Sequence, residues 1–310
     1  MAAESIPRKM KILIVANHWA ICSARYMTDA FKRAGHDVKH VGPARGRNIW
    51  GLTLPPEYVW EPDDIKSVEQ DFETDLYIVM DSDPALLDSM KPVPPEYTKP
   101  VVVYGVDNHV RDYRRPWFDH YFLAHAHGPT QPVERDDETW LPCAYDPIYF
   151  KPSPIPFDDR AFDVILLGYP YPDRVQAVND LRAAGFKVLA GIGLVYEAYA
   201  KAHHQARIAL CISEFGDLSQ RWFESAALGC HVLGSVPHDL VDRKTGAQLG
   251  LHGLSTYQPE AGESIVERVR ELLNEERGQC KTSTIHMQEA VQRHTWDARA
   301  REIIQWVEAR

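Results

Sequence analysis

The chain alternates buried strand and amphipathic helix in two successive passes, and a proline-rich stretch separates them. The first pass opens with Lys11-Ile12-Leu13-Ile14-Val15-Ala16-Asn17. A continuous apolar run of this length suits a strand covered on both faces, as in a parallel sheet. Residues 23–34 follow as an amphipathic helix, with Tyr26, Met27, Ala30 and Phe31 on one side and Gly35 as its stop. Residues 38–41 read as the next strand, and this βαβ opening predicts a doubly wound α/β sheet. Further strands are expected at 75–80, 100–105, 119–124 and 140–145, whereas the polar stretch 42–71 has no clear pattern.

Residues 146–159 carry Pro147, Pro152, Pro154 and Pro156 and read as an interdomain linker, because proline stiffens a chain and cannot join a sheet ladder. The pattern then restarts. Strands are expected at 162–168, 186–190, 207–212 and 231–235, with helices at 173–184, 195–204 and 218–228 between them. Helices at 264–274, 282–294 and 296–309 close the chain. A chain of 310 residues is long for one core and usually divides in two. Two α/β halves would leave a cleft between them, a common place for ligands.

The net charge is −10, so the surface as a whole does not attract polyanions, and nucleic-acid binding would need a local basic patch. The nearest candidate is Arg111, Arg114 and Arg115, with Arg45 or Arg47 on the same rim. The five cysteines are widely spaced and form no CxxC pair, which fits buried free thiols in a reducing compartment. The polar N-terminus and the absence of an apolar run of roughly 18 residues lead us to expect a soluble, cytoplasmic protein with no membrane span.

The segment from Asp217 to Cys230 is the most informative. It follows a buried strand and a short loop, so a helix beginning there aims its N–H groups and positive dipole end at the cleft. Asp217 or Ser219 could cap it. Arg221 in the first turn could grip a phosphate, with Ser219 and Gln220 beside it. Glu224 shares its helix face and could accept both hydroxyls of a ribose. Spacing alone is equally compatible with a surface ion pair between Arg221 and Glu224.

Residues 196–201, 206–213 and Arg221-Trp222-Phe223-Glu224-Ser225-Ala226-Ala227-Leu228-Gly229-Cys230 together resemble the C-terminal half of GT-B glycosyltransferases, most closely the CgeB-like branch of the "glycosyl transferases group 1" proteins, with its R-x-F-E-x-x-A-x-G motif. The stretch from Gly168 to Arg174 resembles the opening of that family's second domain. Trp140-Leu141-Pro142-Cys143-Ala144-Tyr145-Asp146-Pro147 resembles its hinge, and His294-Thr295-Trp296 with Arg299 its C-terminal segment. The resemblance implies a GT-B fold, two Rossmann-like domains facing across a deep cleft. Residues 1–150 would take the acceptor and 151–293 the nucleotide-sugar donor, with a C-terminal helix at 294–310 packing back on the first domain. It implies a UDP-sugar, or a GDP-sugar, with Arg221 on the phosphates and Glu224 on the ribose, and no other cofactor. Many related retaining enzymes carry two glutamates eight positions apart. Here the earlier position is Gly216, and Glu214 is out of register, so retention and inversion both stay open.

In the first half, residues just past strand ends face the cleft. Asp107 is the first candidate for a base that deprotonates the acceptor, and His18 the second. Asp107 could equally cap a turn. His109 and Arg111 are candidates for acceptor binding. His125 and His127 read as ordinary loop histidines. Asp81 and Asp83 have D-x-D spacing, but Pro84 favours a turn, and no metal is expected. Tyr169 and Tyr171 could stack on base or sugar, or simply pack at the rim. Gly191 and Gly193 would allow close backbone approach to a ribose or base.

Three functions are compatible with this pattern. The first is a glycosyltransferase acting on a glycan, a protein or, against its charge, a hydroxylated DNA base. The second is an inactive module that keeps only the nucleotide pocket. A dinucleotide-dependent oxidoreductase or epimerase is disfavoured, because residues 15–21 lack the G-x-G-x-x-G that admits a pyrophosphate.

Overall fold

The computed structural model describes residues 8–49, 52–80, 88, 99–242, 244–246, 248–251, 253–274 and 278–310. Asp81 and Asp83 lie outside the described residues. The first half builds β1 (Lys11–Val15), α1 (Ser23–Arg33), β2 (Asp37–Val41), α2 (Ile65–Asp71), β5 (Leu76–Val79), β6 (Val101–Gly105), β7 (His120–Leu123) and β8 (Glu138–Trp140). All six long strands pair in parallel, in the order β2-β1-β5-β6-β7-β8. The stretch without a readable pattern contains a small antiparallel hairpin, β3 (Asn48–Ile49) with β4 (Leu52–Thr53), besides α2.

The second half builds β9 (Phe162–Leu167), α3 (Pro172–Ala183), β10 (Val188–Gly191), α4 (Tyr196–His204), β11 (Ala206–Cys211), α5 (Gln220–Ala227), β12 (His231–Ser235), β13 (Ser255–Tyr257), α6 (Ile265–Asn274) and α7 (Gly278–Val291). Its five strands are also parallel, ordered β10-β9-β11-β12-β13. The order reverses between β9 and β11, and in such sheets ligands bind beyond the carboxyl ends at the reversal. The loops there start at Gly168 and Ile212. The helix expected from residue 218 starts at Gln220, and β13 was not anticipated, because a three-residue strand shows no periodicity.

The last helix, α8 (Trp296–Glu308), returns to the first half and lies against α1. The two outlying motifs explain how. Tyr145 in the hinge and Thr295 form a parallel bridge, with Tyr145 N donating to His294 O and Trp296 N to Tyr145 O. Arg299, buried, donates through Nε to Pro142 O (2.7 Å) and through Nη2 to His294 Nδ1 (2.7 Å). Arg33 joins buried Asp146 (3.0 Å) to Asp297 (2.8 Å). Trp296 enters a core that runs from Ile12 and Tyr26 through Phe150 to Trp222 and Phe223, so apolar packing is continuous across both halves. Cys143, Cys211 and Cys230 are buried free thiols, and Cys22 is half-buried. Among the described residues no helix is long and apolar enough to cross a membrane.

Truncation of Arg299 would strand two buried acceptors. Arg299→Ala is expected to cost about 3 kcal/mol, read as a lower urea midpoint, because hydrogen bonds from charged donors are worth more than neutral ones.

Candidate active site

Gly168 ends β9 with φ +145, and a side chain there would collide with Arg221 Nη2 and approach Arg174 Nη1. Two guanidinium groups therefore converge on one bare Cα. Arg174 donates to Ile212 O (2.9 Å) and Tyr169 O (3.1 Å), and Tyr171 lies against its guanidinium at 4.8 Å. Arg221 Nη1 is buried without a hydrogen-bond partner. Among the described residues neither arginine forms an ion pair with a carboxylate. Burial, and next the Arg221 charge, lower the Arg174 pKa to about 10. Two cations at the reversal point, neither held in an ion pair among the described residues, form an arrangement that could take an anion.

The amino end of α5 adjoins this pair. Ser219 occupies the cap position, but neither its side chain nor that of Asp217 caps the helix. Asp217 accepts from Ser213 Oγ instead. Leu167, Gly168, Gly193, Ser219, Gln220, Arg221 and Glu224 line a cavity of about 240 Å³, closed by Ile21, Tyr26 and Phe150 from the first part of the chain. Glu224 is 8% exposed and accepts from Gln220 Nε2 (2.5 Å). Burial raises its pKa, against the opposing effects of Gln220 and Arg221. No ion pair joins Arg221 to Glu224 among the described residues, so the surface-pair reading does not describe this geometry. Gly193 lines the cavity, whereas Gly191 lies outside its lining. Tyr169 is exposed at the rim, against Tyr171 at 5.0 Å.

A larger cavity of about 780 Å³ lies beside the loop 213–216, lined by Asp173, Asp180, Glu214 and Glu263 and by no lysine or arginine. That lining is unfavourable to a diphosphate.

Opposite, the loops after β6 and β7 are zipped by Asn108. It donates to His125 O and Gln131 O (both 2.7 Å) and accepts from His125 N (2.9 Å). Asp107 and His109 flank this rigid residue, and the Asp107 amide meets Tyr113 Oη (3.1 Å). Burial, and then His125, lower the His109 pKa, while Asp217, Asp107 and Asp239 pull it back up. Carboxylates from both halves thus surround one imidazole. The Phe215 ring lies tilted against it at 5.3 Å, and His109 Nδ1 is buried without a hydrogen-bond partner. His125 and His127 are more than ordinary loop histidines. His125 Nδ1 bonds buried Asp239 (2.8 Å), His127 N donates to the same carboxylate (2.9 Å), and His127 Nε2 bonds Val241 O (2.9 Å). Burial would raise the Asp239 carboxyl, but these bonds outweigh it and hold it below the ordinary value.

His18 is fully buried. It shares a hydrogen bond with His40 (3.0 Å) and packs on Trp60 (4.2 Å), and burial lowers its pKa to about 4. It does not line the 240 Å³ cavity. Arg114 pairs with buried Glu138 (2.8 Å) and Arg115 with Asp88 (2.8 Å), so of the three arginines only Arg111 stays outside an ion pair among the described residues. No group of side chains there could hold a metal ion.

Residues 156–305 match the model of a family described as Glycosyl transferase-like. The chain matches none of the curated proteins. Among solved structures it is similar to an α-glucosyltransferase in complex with UDP-glucose and DNA containing an abasic site, at 15% identity and a TM-score of 0.67 over 97% of this chain and 100% of that one. An α-glucosyltransferase in complex with UDP and a 13-mer DNA containing a HMU base gives 14% and 0.62 over 98% and 100%. Sucrose-phosphate synthase from Thermosynechococcus elongatus gives 12% and 0.53 over 97% and 99%. The fold is GT-B. In this GT-B fold the arginine pair belongs to the second Rossmann-like domain, and His109 of the first lies against Phe215 of the second.

Tyr26, Tyr196 and Tyr199 also line the 240 Å³ cavity, and neither they nor Asp239, the partner of His125, stand out in the sequence as site candidates. Tyr196 and Tyr199 lie within the motif 196–201, but their side-chain directions depend on where α4 starts.

Because burial raises the Glu224 pKa above its ordinary 4.5, ionisation opposes folding, and this penalty grows as pH rises through and above that value. The nucleotide-free Glu224→Gln variant is therefore expected to melt higher than wild type at pH 7, and to lose the advantage below pH 4.5. Calorimetry at both ends of that range checks it.

Proposed function

We infer that this chain is a glycosyltransferase that moves a hexosyl group from a UDP-sugar to an acceptor hydroxyl. The observation that carries the reading is the convergence of Arg174 and Arg221 on Gly168, neither in an ion pair among the described residues, at the amino end of α5, which no side chain caps. The match of residues 156–305 to a glycosyltransferase-like family supports it. UDP is favoured over GDP because similar solved structures hold UDP-glucose and UDP. The resemblance of the ordered motifs at 140–147, 221–230 and 294–299 supports a reading near the CgeB-like branch.

In this reading the diphosphate lies on the two guanidinium groups and the first N–H groups of α5. There the charge that develops on the leaving group meets donors already oriented for it. Ser219 and Gln220 flank the phosphates, and Glu224 accepts the ribose hydroxyls. The acceptor enters from the first domain beside His109 and Arg111. Asp107, held by the Asn108 zipper, takes the acceptor proton. Buried His18 is left to packing.

Solved structures similar to this one hold DNA, but two of the three clustered arginines here are committed to Glu138 and Asp88, and the net charge is −10. We therefore read the acceptor as something other than duplex DNA. Salt-dependent retardation of a duplex on a gel would reverse that.

UDP is expected to raise the melting temperature of the wild type. Arg221→Ala is expected to remove the shift, and Gly168→Ala to remove it by pushing the arginine aside. Absence of any shift with UDP, GDP, ADP or dTDP would sink the reading. Asp107→Asn is expected to keep UDP binding but to lose transfer by about 10²-fold or more in kcat, measured by UDP release.

A further inference from the structure

Tyr196 is the sole non-glycine residue with positive φ among the described residues, at +47. A left-handed backbone costs a bulky residue free energy, and such strain persists only where surrounding contacts over-determine it. Here the contacts come from the other domain. Tyr196 opens α4 on the wall of the 240 Å³ cavity, yet its hydroxyl crosses to donate to Ala20 O (2.6 Å). Its ring stacks on Tyr58 at 5.0 Å, meets Tyr149 at 4.6 Å, and lies under the Arg25 guanidinium at 5.1 Å. Arg25 also builds the socket, donating to both Ala20 O (3.0 Å) and Tyr58 O (2.7 Å). The side chain is 2% exposed. Beside it, Leu52 of the first-domain hairpin lies where a Gly193 side chain would go, and Ser23 Oγ donates to Gln220 Oε1 (3.3 Å).

We propose that Tyr196 is a positioning residue that latches the two domains shut over the donor cavity, its strained backbone held by the Ala20–Arg25–Tyr58 socket. Release from the socket lets residues 193–196 relax and opens the wall between Gly193 and Ile21, the path for the nucleotide. Closure re-forms the strained turn and traps the nucleotide against Glu224. The consequence for nucleotide exchange rests on the function proposed above, whereas the latch itself is a property of the free protein.

Tyr196→Phe removes only the hydroxyl. Hydrogen exchange of the nucleotide-free protein is expected to show faster labelling in residues 17–26 and 193–200 than in wild type, with the sheets unchanged. In stopped flow, UDP is expected to leave Tyr196→Phe about fivefold faster, the size of effect that follows from loss of one neutral hydrogen bond. Arg25→Gln, which disturbs the socket rather than the latch, should reproduce both changes. Unchanged exchange in both variants would overturn the latch, and so would unchanged UDP release in a wild type that binds UDP. If the wild type binds no UDP, the exchange measurement still decides for or against the latch while the nucleotide reading falls separately.

Discussion

Two positive charges held together at Gly168 set the terms for the second domain. Arg174 and Arg221 repel each other in a partly dry site, Asp217 only partly offsets this at Arg174, and among the described residues neither arginine forms an ion pair. Backbone carbonyls of Tyr169 and Ile212 hold Arg174 in place, and the missing side chain of Gly168 makes room for Arg221. Such an arrangement costs stability in the ligand-free protein, and in the function proposed here it would favour a bound dianion. Glu224 follows the same logic. Its buried carboxyl group lies near an arginine yet accepts from Gln220, and in the proposed function it would serve a ligand with hydroxyl donors.

The domains meet along two rims. On one, Tyr196 reaches Ala20. On the other, Asp239 holds His125 and His127. Arg299 and α8 tie the hinge from behind. The charged and hydroxyl groups at these seams are mostly buried and satisfied, so the relative position of the halves is specified by polar geometry as well as by the continuous apolar core. This specification brings His109 against Phe215 and within the field of Asp217.

Much of the fold was legible in the chain itself. Five-residue runs such as Lys11–Val15 and Val101–Gly105 are apolar without alternation, which requires cover on both faces, and the strand–helix alternation then leaves a parallel doubly wound sheet. The helix that carries Arg221 and Glu224 was legible for the same reason: it is local, and local sequence carries its physics within a few residues. The short strands β3, β4 and β13 were not, because two or three residues show no period.

What the sequence determined by itself is the pair of Rossmann-like halves and the helix that presents Arg221 and Glu224 on one face, since periodicity and helix geometry depend only on neighbours along the chain. Tertiary structure alone decided which of the candidate residues are buried. His18 and Asp107 both follow strand ends, yet packing against Trp60 and His40 buries the first, while the second, beside the Asn108 zipper, stays partly exposed. Arg114 and Arg115 look like a basic patch until Glu138 and Asp88 arrive from elsewhere in the chain. Tyr196 reads as an ordinary helix residue until Ala20, 176 positions away, claims its hydroxyl. Such roles are set by partners distant in sequence, and no pattern along the chain encodes a distance that only folding creates.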